Sequence, residues 1–291
     1  MLKSMTGFGR AEKAVGSKTF LVDIKSLNGK QFELQLKLPA FLKPFEFDIR
    51  SILSQQLLRG SVDCMISLKD TGTAKPVTIN TDLAKAYYQP LAELSTALAL
   101  DPSHILSTLV KLPEVITPSS ETLTDEEWNA FKGVLQLAID DLNLHRLEEG
   151  KALEEDLQAR IKNIVTRQAE VAGLEPLRKQ KIRDGLVRVL TEQVGRDNYD
   201  TNRMEQELIY YIEKIDISEE QVRLLNHCEY FKSVLAEPED TKGKKLSFIL
   251  QEIGREINTT GSKAYDSTIQ QCVVLMKDEL EKAKEQVLNV L

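Results

Sequence analysis

A chain of 291 residues, 42% hydrophobic and 29% charged, has the length for a sizeable core and the balance of a soluble globular protein. No apolar run reaches the ~18 residues of a membrane span, and the opening MLKSMTGFGRAEK lacks the apolar centre of a secretory signal. The net charge of −7 discourages a nucleic-acid partner, yet residues 1–69 hold eleven Lys or Arg against six Asp or Glu. That positive segment suits an anion-binding face, and it suits lysine-guarded strand edges equally well. Three scattered cysteines, Cys64, Cys228 and Cys272, form no CxxC pair; they point to a reducing cytoplasm and away from a disulfide framework or structural zinc.

Taken in order, residues 1–80 read as a small α+β domain. Phe20, Val22 and Ile24 alternate along one segment, and Phe32, Leu34, Leu36 and Leu38 along the next. Leu27-Asn28-Gly29-Lys30 between them is a hairpin signal, since Asn-Gly suits the positive φ angles of a tight turn. Phe45, Ile49, Leu53 and Leu57 then follow helical spacing up to Arg59-Gly60, and Val62, Cys64, Ile66 and Leu68 form a third alternating run. Residues 81–200 read as helical, with Pro90 marking a kink or break. Thr124-Asp-Glu-Glu127 is a capping box ahead of a pattern that runs to Ala172, with Gly150 as a point where that helix can bend. Glu175 to Val194 reads as a return helix, making this region an oligomerisation or coiled-coil arm. Residues 201–291 hold further helices. In the last of them Val273, Met276, Leu280, Ala283, Val287 and Val290 keep heptad spacing, a seam that demands another helix from this chain or from a second copy.

The chemistry concentrates in Lys244 to Asp266, KKLSFILQEIGREINTTGSKAYD. Glu252 and Glu256 are four apart, so on a helix both carboxylates leave one face. Lys242, Lys244, Lys245, Arg255 and Lys263 surround them with positive charge. Asn258 to Ser262 reads as a helix break, with Ser262 capping the next helix and free N–H groups behind it. Two acids, several bases and a helix N-terminus are what a metal-assisted site needs to hold and cut a phosphodiester. A solvated helix face laced with ion pairs explains the same residues more plainly.

The opening MLKSMTGFGRAE, Lys25-Ser26-Leu27-Asn28, Leu58-Arg59-Gly60-Ser61-Val62-Asp63 and QEIGREINTTGSKAYD followed by KEQVLNV resemble the bacterial YicC-like family over nearly the full length. The resemblance implies a cytoplasmic endoribonuclease that depends on a divalent metal (Mn²⁺ or Mg²⁺), acts on single-stranded or structured RNA, and assembles as a homo-oligomer, a hexamer. It implies further acids at Glu205 and Glu220 as metal ligands beside Glu252 and Glu256. Ser247 departs from the pattern, standing where the family usually has Asp.

His227, with Glu252, Arg255 and Glu256, completes the catalytic set this reading expects, as a general acid on the leaving oxygen. A packed structural histidine is the plainer account. RNA contacts are expected at Arg10, Lys25, Asn28, Lys30, Arg50, Arg59, Arg203, Arg223, Lys245, Asn258, Ser262 and Lys263. For Arg203 and Arg223 ordinary i,i+4 pairing competes, and Arg59 also suits a helix end. The competing function is a non-catalytic RNA-binding oligomer that presents RNA to another nuclease.

Overall fold

Alternating apolar residues build the first layer. The structure, a computed structural model, describes residues 2–15, 18–29, 31–70, 77–99, 101–118, 123–195, 200–238 and 241–291. Strands β1 (Gly7–Val15), β2 (Lys18–Leu27), β3 (Phe32–Lys37) and β4 (Gly60–Asp70) form one sheet in the order β1-β2-β4-β3. β2 pairs antiparallel with β1 and β4, whereas β3 runs parallel to β4. The expected hairpin at Leu27–Lys30 is therefore not one, because β4 lies between the two strands it was to join. Gly29 has another use: a Cβ there would stand 2.8 Å from the Ser61 nitrogen, so glycine lets the connection pass the start of β4. Lys30 lies outside the described residues.

One face of the sheet is closed by helix α1 (Glu46–Leu57) and by the first third of helix α4 (Asp125–Val194). Phe20, Val22, Ile24, Val62, Cys64 and Ile66 meet Ile49, Leu53 and Leu57 of α1 and Phe131, Leu135, Ala138 and Leu142 of α4. Burial of each large side chain stabilises by about 1.5–3 kcal/mol. β1 crosses α4 so closely that a Cβ on Gly9 would stand 2.2 Å from the Ala138 carbonyl oxygen. A two-stranded ribbon, β5 (Val77–Ile79) with β6 (Ile116–Pro118), accompanies helices α2 (Thr81–Ala97) and α3 (Ile105–Leu109). α2 continues past Pro90.

α4 opens with the expected capping box, Thr124 with Glu127. It then runs unbroken for 70 residues, about 105 Å at 1.5 Å per residue. The expected return helix at 175–194 is instead its last third, which continues through Pro176. Just beyond that proline, the buried Arg178 guanidinium donates to the Ile215 carbonyl at 2.7 Å and the Lys263 carbonyl at 3.1 Å. α5 (Thr201–Lys214) follows, and Arg183 of α4 pairs with Glu205 of α5 at 2.9 Å.

Helices α6 (Ser218–Ala236), α7 (Gly243–Lys263) and α8 (Ser267–Val287) pack beside the middle of α4. The heptad seam of α8 is satisfied within the chain: Val273, Met276, Leu280, Ala283 and Val287 are buried in the same core as Leu157, Ile161 and Ile164 of α4. Arg160 and Asn163 of α4 both reach Glu279 of α8, at 3.3 and 2.8 Å.

The two halves are tied by the chain's ends. Ser4 donates its N–H to the Arg146 carbonyl at 2.9 Å, Met5 to Asn289 at 2.8 Å, and Leu291 back to Lys3 at 3.0 Å. The Leu291 carbonyl accepts from the Lys242 and Gly243 nitrogens that open α7. α4 continues through Gly150, where a Cβ would stand 2.0 Å from the Leu2 carbonyl oxygen, so glycine permits a close approach there.

Candidate nucleic-acid interface

α7 is amphipathic, and its apolar stripe fixes which residues face outward. Leu246, Ile249, Leu250, Ile253, Ile257 and Thr260 are buried. Lys244, Phe248, Gln251, Glu252, Arg255, Asn258 and Ser262 are exposed, and the ridge they make is about 27 Å long from Lys244 to Ser262. The Lys244 ammonium lies 5.9 Å from the Phe248 ring centroid. Arg255 approaches the Glu252 carboxylate at 3.9 Å, a loose pair between two solvated groups.

The ridge begins at a cleft of about 490 Å³ between the N-terminal domain and the ends of α7 and α8. Arg59 and Met5 contribute from one side, Lys244, Ser247, Phe248 and Gln251 from α7, and Leu288 and Val290 from the tail. Arg59 is oriented by donating its Nε to the Gly29 carbonyl at 3.0 Å. Asn28, at the rim, donates its amide to the Leu288 carbonyl at 2.7 Å. Behind Arg59 the buried Arg146 guanidinium donates to Ser26 Oγ at 2.6 Å and to the Leu57 and Arg59 carbonyls at 3.4 and 3.3 Å. Burial pulls its pKa below the ordinary arginine value.

The stretch singled out by sequence thus supplies the ridge, but with four corrections. α7 runs through Asn258–Ser262 without a break, and the next helix is capped by Asp266, whose carboxylate accepts from the Thr268 and Ile269 nitrogens. Ser262 caps nothing; its hydroxyl donates to the Thr259 carbonyl at 2.9 Å within its own helix. Lys263 therefore sits at a helix C-terminus, where a cation is favoured by the dipole, and not at an anion-binding N-terminus. Glu252 and Glu256 do not share an open face: Glu252 is exposed and Glu256 buried, because four residues span 400° and the extra 40° crosses the edge of the apolar stripe.

The other expected residues are dispersed. Glu220 is buried and holds the Lys263 ammonium at 2.7 Å. Glu205 belongs to α5, in its ion pair with Arg183. His227 is half-buried on α6, and its side chain makes no hydrogen bond among the described residues. Arg223 pairs with Glu219, Lys245 with Glu237 at 2.9 Å, and Arg50 with Glu46 at 2.8 Å. Arg10 is 3.5 Å from Asp23, and Lys25 lies on the exposed sheet face with Phe8 and Asp63 as register partners. Arg203 is exposed on α5. Among the described residues no group of three or more His, Cys, Asp or Glu side chains is placed to hold a metal ion. The four carboxylates do not fit as one ligand set in a single chain: an ion at Glu220 would have to displace the Lys263 ammonium. Phe248 and Gln251 are cleft residues that reasoning by charge passed over. Their signal was an aromatic residue on the polar side of an amphipathic helix.

Residues 2–155 match a family model described as "Endoribonuclease YicC-like, N-terminal region", and residues 170–291 match one described as "Endoribonuclease YicC-like, C-terminal". The chain is 32% identical to the probable endoribonuclease YicC of Clostridioides difficile (strain 630), over 100% of both chains. It is 29% identical to the probable endoribonuclease YicC of Haemophilus influenzae, again over 100% of both.

Proposed function

The chain belongs to the YicC-like endoribonuclease family, and from that premise we propose that it hydrolyses RNA phosphodiester bonds, with the exposed ridge of α7 facing the RNA. The carrying observation is the ridge itself, one exposed face of α7 that carries Lys244 at the inter-domain cleft and Glu252, Arg255 and Asn258 further along. Arg255 and Lys244 are suited to hold phosphates, since guanidinium and ammonium groups make the stronger charge-assisted hydrogen bonds. His227, half-buried on α6, is kept as the proposed proton donor.

Divalent-metal assistance by Mn²⁺ or Mg²⁺ is part of the proposal in a reduced form. Such ions commonly take one or two carboxylates plus substrate phosphates, and Glu252 is the ridge carboxylate open to that role. The ion would neutralise charge on the phosphate. We also propose a cytoplasmic homo-oligomer, a hexamer by family resemblance. The apolar side chains exposed where α4 and α5 project, Val189, Ile209 and Tyr210 among them, support assembly.

The dispersion of the four carboxylates favours one second reading, an oligomer that binds RNA without cutting it. Incubating labelled RNA with the purified protein and Mn²⁺, with and without chelator, separates the two. Chelator-sensitive cleavage that falls at least tenfold in Glu252→Gln supports the enzyme. Binding without cleavage supports the second reading, and undiminished cleavage by Glu252→Gln removes the site assignment.

A further inference from the structure

Phe248 is the feature left unexplained by packing. It is 55% exposed on the polar side of α7, and nothing in the chain's core requires an aromatic ring there. Among the described residues the lining of the cleft beside it contains no Asp or Glu, in a protein with 45 acidic residues, while Arg59 and Lys244 both reach it. Lys244 makes no ion pair among the described residues, and Arg59 spends only its Nε, on the Gly29 carbonyl. The terminal nitrogens of Arg59 have no partner among the described residues. The volume, about 490 Å³, lies within the ~300–1,000 Å³ typical of small-molecule sites. Its walls are mixed: Leu288 and Val287 are apolar, and Gln251 and Ser247 bring donors and acceptors.

We propose that this cleft seats one unpaired nucleotide of single-stranded RNA, its base against Phe248 and its flanking phosphates held by Lys244 and Arg59. The inference rests on the RNA reading above and narrows the substrate to a strand with at least one unpaired base. Stacking on an aromatic face is how unpaired bases are commonly held, because every base has a π face and a duplex hides it. Gln251 and Ser247 stand where the edge of a stacked base would be met. A duplex cannot offer the ring a free base without unpairing one, so the site discriminates by strandedness before it discriminates by sequence.

The test uses the full chain and a fluorescein-labelled single-stranded oligoadenylate, with a blunt duplex of equal length, read by anisotropy. A second probe carries 2-aminopurine, whose fluorescence falls on stacking. Phe248→Leu should weaken single-strand binding roughly 5- to 150-fold, the range of stacking losses on truncation. It should also abolish the 2-aminopurine quench and leave duplex binding unchanged, while Phe248→Trp retains both signals. Lys244→Gln should flatten the slope of log affinity against log salt by about 0.7, one phosphate contact on a single strand. Circular dichroism and size-exclusion elution of each variant should match wild type. The inference is overturned if Phe248→Leu binds single strands as tightly as wild type or weakens both RNA forms equally. It is also overturned if that variant changes oligomeric state without changing RNA affinity, which would show a second copy covering the cleft. Wild-type protein that binds neither RNA form would instead overturn the RNA reading itself, so the two failures are separable.

Discussion

Alanine at Gly150 probes the joint between the two halves with controls built into the same helix. Glycine inside a helix costs about 1 kcal/mol relative to alanine, so Gly→Ala in α4 should ordinarily stabilise. At Gly133, Gly173 and Gly185 an added Cβ would meet nothing within 4 Å, and each substitution should raise stability by up to about 1 kcal/mol. At Gly150 the same methyl would stand 2.0 Å from the Leu2 carbonyl oxygen, 2.6 Å from its carbon and 2.9 Å from Lys3 Cα. All three are backbone atoms, so no rotamer change relieves the clash. Ordinary carbon–oxygen contacts are about 3.3 Å, so residues 2 and 3 must move by roughly 1.3 Å. Overpacking of that kind costs about 1–3 kcal/mol. The shift also strains the Leu2 N–H bond to the Glu154 carboxylate (3.2 Å) and the Ser4 N–H bond to the Arg146 carbonyl (2.9 Å). Each of those bonds contributes about 1 kcal/mol net. After the helix-propensity gain is set against these terms, Gly150→Ala should lose about 2–4 kcal/mol. Urea unfolding followed by far-UV circular dichroism, run on the four variants together, gives the difference directly. If Gly150→Ala unfolds at or above the midpoint of the other three, the close approach of residues 2–3 to α4 is wrong.

Lys263→Met should destabilise by about 1–3 kcal/mol, less than a fully buried pair would, because Glu220 is left buried while Lys263 keeps solvent contact. Adding Glu220→Gln should restore part of that loss in thermal melts, and no recovery would mean the two side chains act separately. Hydrogen bonding from Asn163, with Lys282 and Arg160, holds the Glu279 carboxyl below its ordinary 4.5. The folded value lies below the unfolded one, so the stabilisation is complete above about pH 4.5 and lost as pH falls through the lowered value. Glu279→Gln should therefore lower stability at neutral pH and flatten the acid limb of a stability–pH curve; an unchanged limb refutes the assignment. Burial, with Asp63 and Asp23 adding to it, pushes the Cys64 thiol up to about 12, and burial pushes Cys228 to about 12 as well. Both should resist a disulfide reagent at pH 8 until denaturant is added, and rapid modification of the folded protein would show that they are open.

Elements whose apolar residues repeat are legible in the sequence: the Thr124 capping box, the alternation of β2, β3 and β4 and the seam of α8 all form as their spacing demands. β1 was missed because its inward positions are Gly7, Gly9 and Ala11, small residues required by the pressure of α4 and invisible to an apolar-periodicity count. Strand order was misread because Asn28-Gly29 is a turn signal for local geometry, whereas β4 inserts from thirty residues away. The end of α4 was misplaced because proline weakens a helix locally, and Arg178 secures it just beyond through contacts distant in sequence. For the site, residue types on α7 were legible, and their facing was not. An i,i+4 pair tells which residues are neighbours; only α6 and α8 decide that Glu256 lies inside and Glu252 outside.

The pairing of residues 3–5 with residues 289–291 makes the joint between the two halves a contact between segments very far apart in sequence. Synthesis delivers the first of these partners long before the second, so residues 3–5 wait unpaired until residues 289–291 emerge. A molecule cut before residue 289 lacks both the mates of residues 3–5 and the carbonyl that quiets the leading amides of α7. Truncated molecules would thus be marked by slack at one place, open to proteolysis, and the cleft beside Arg59 would lose its floor at Val290 before any other wall.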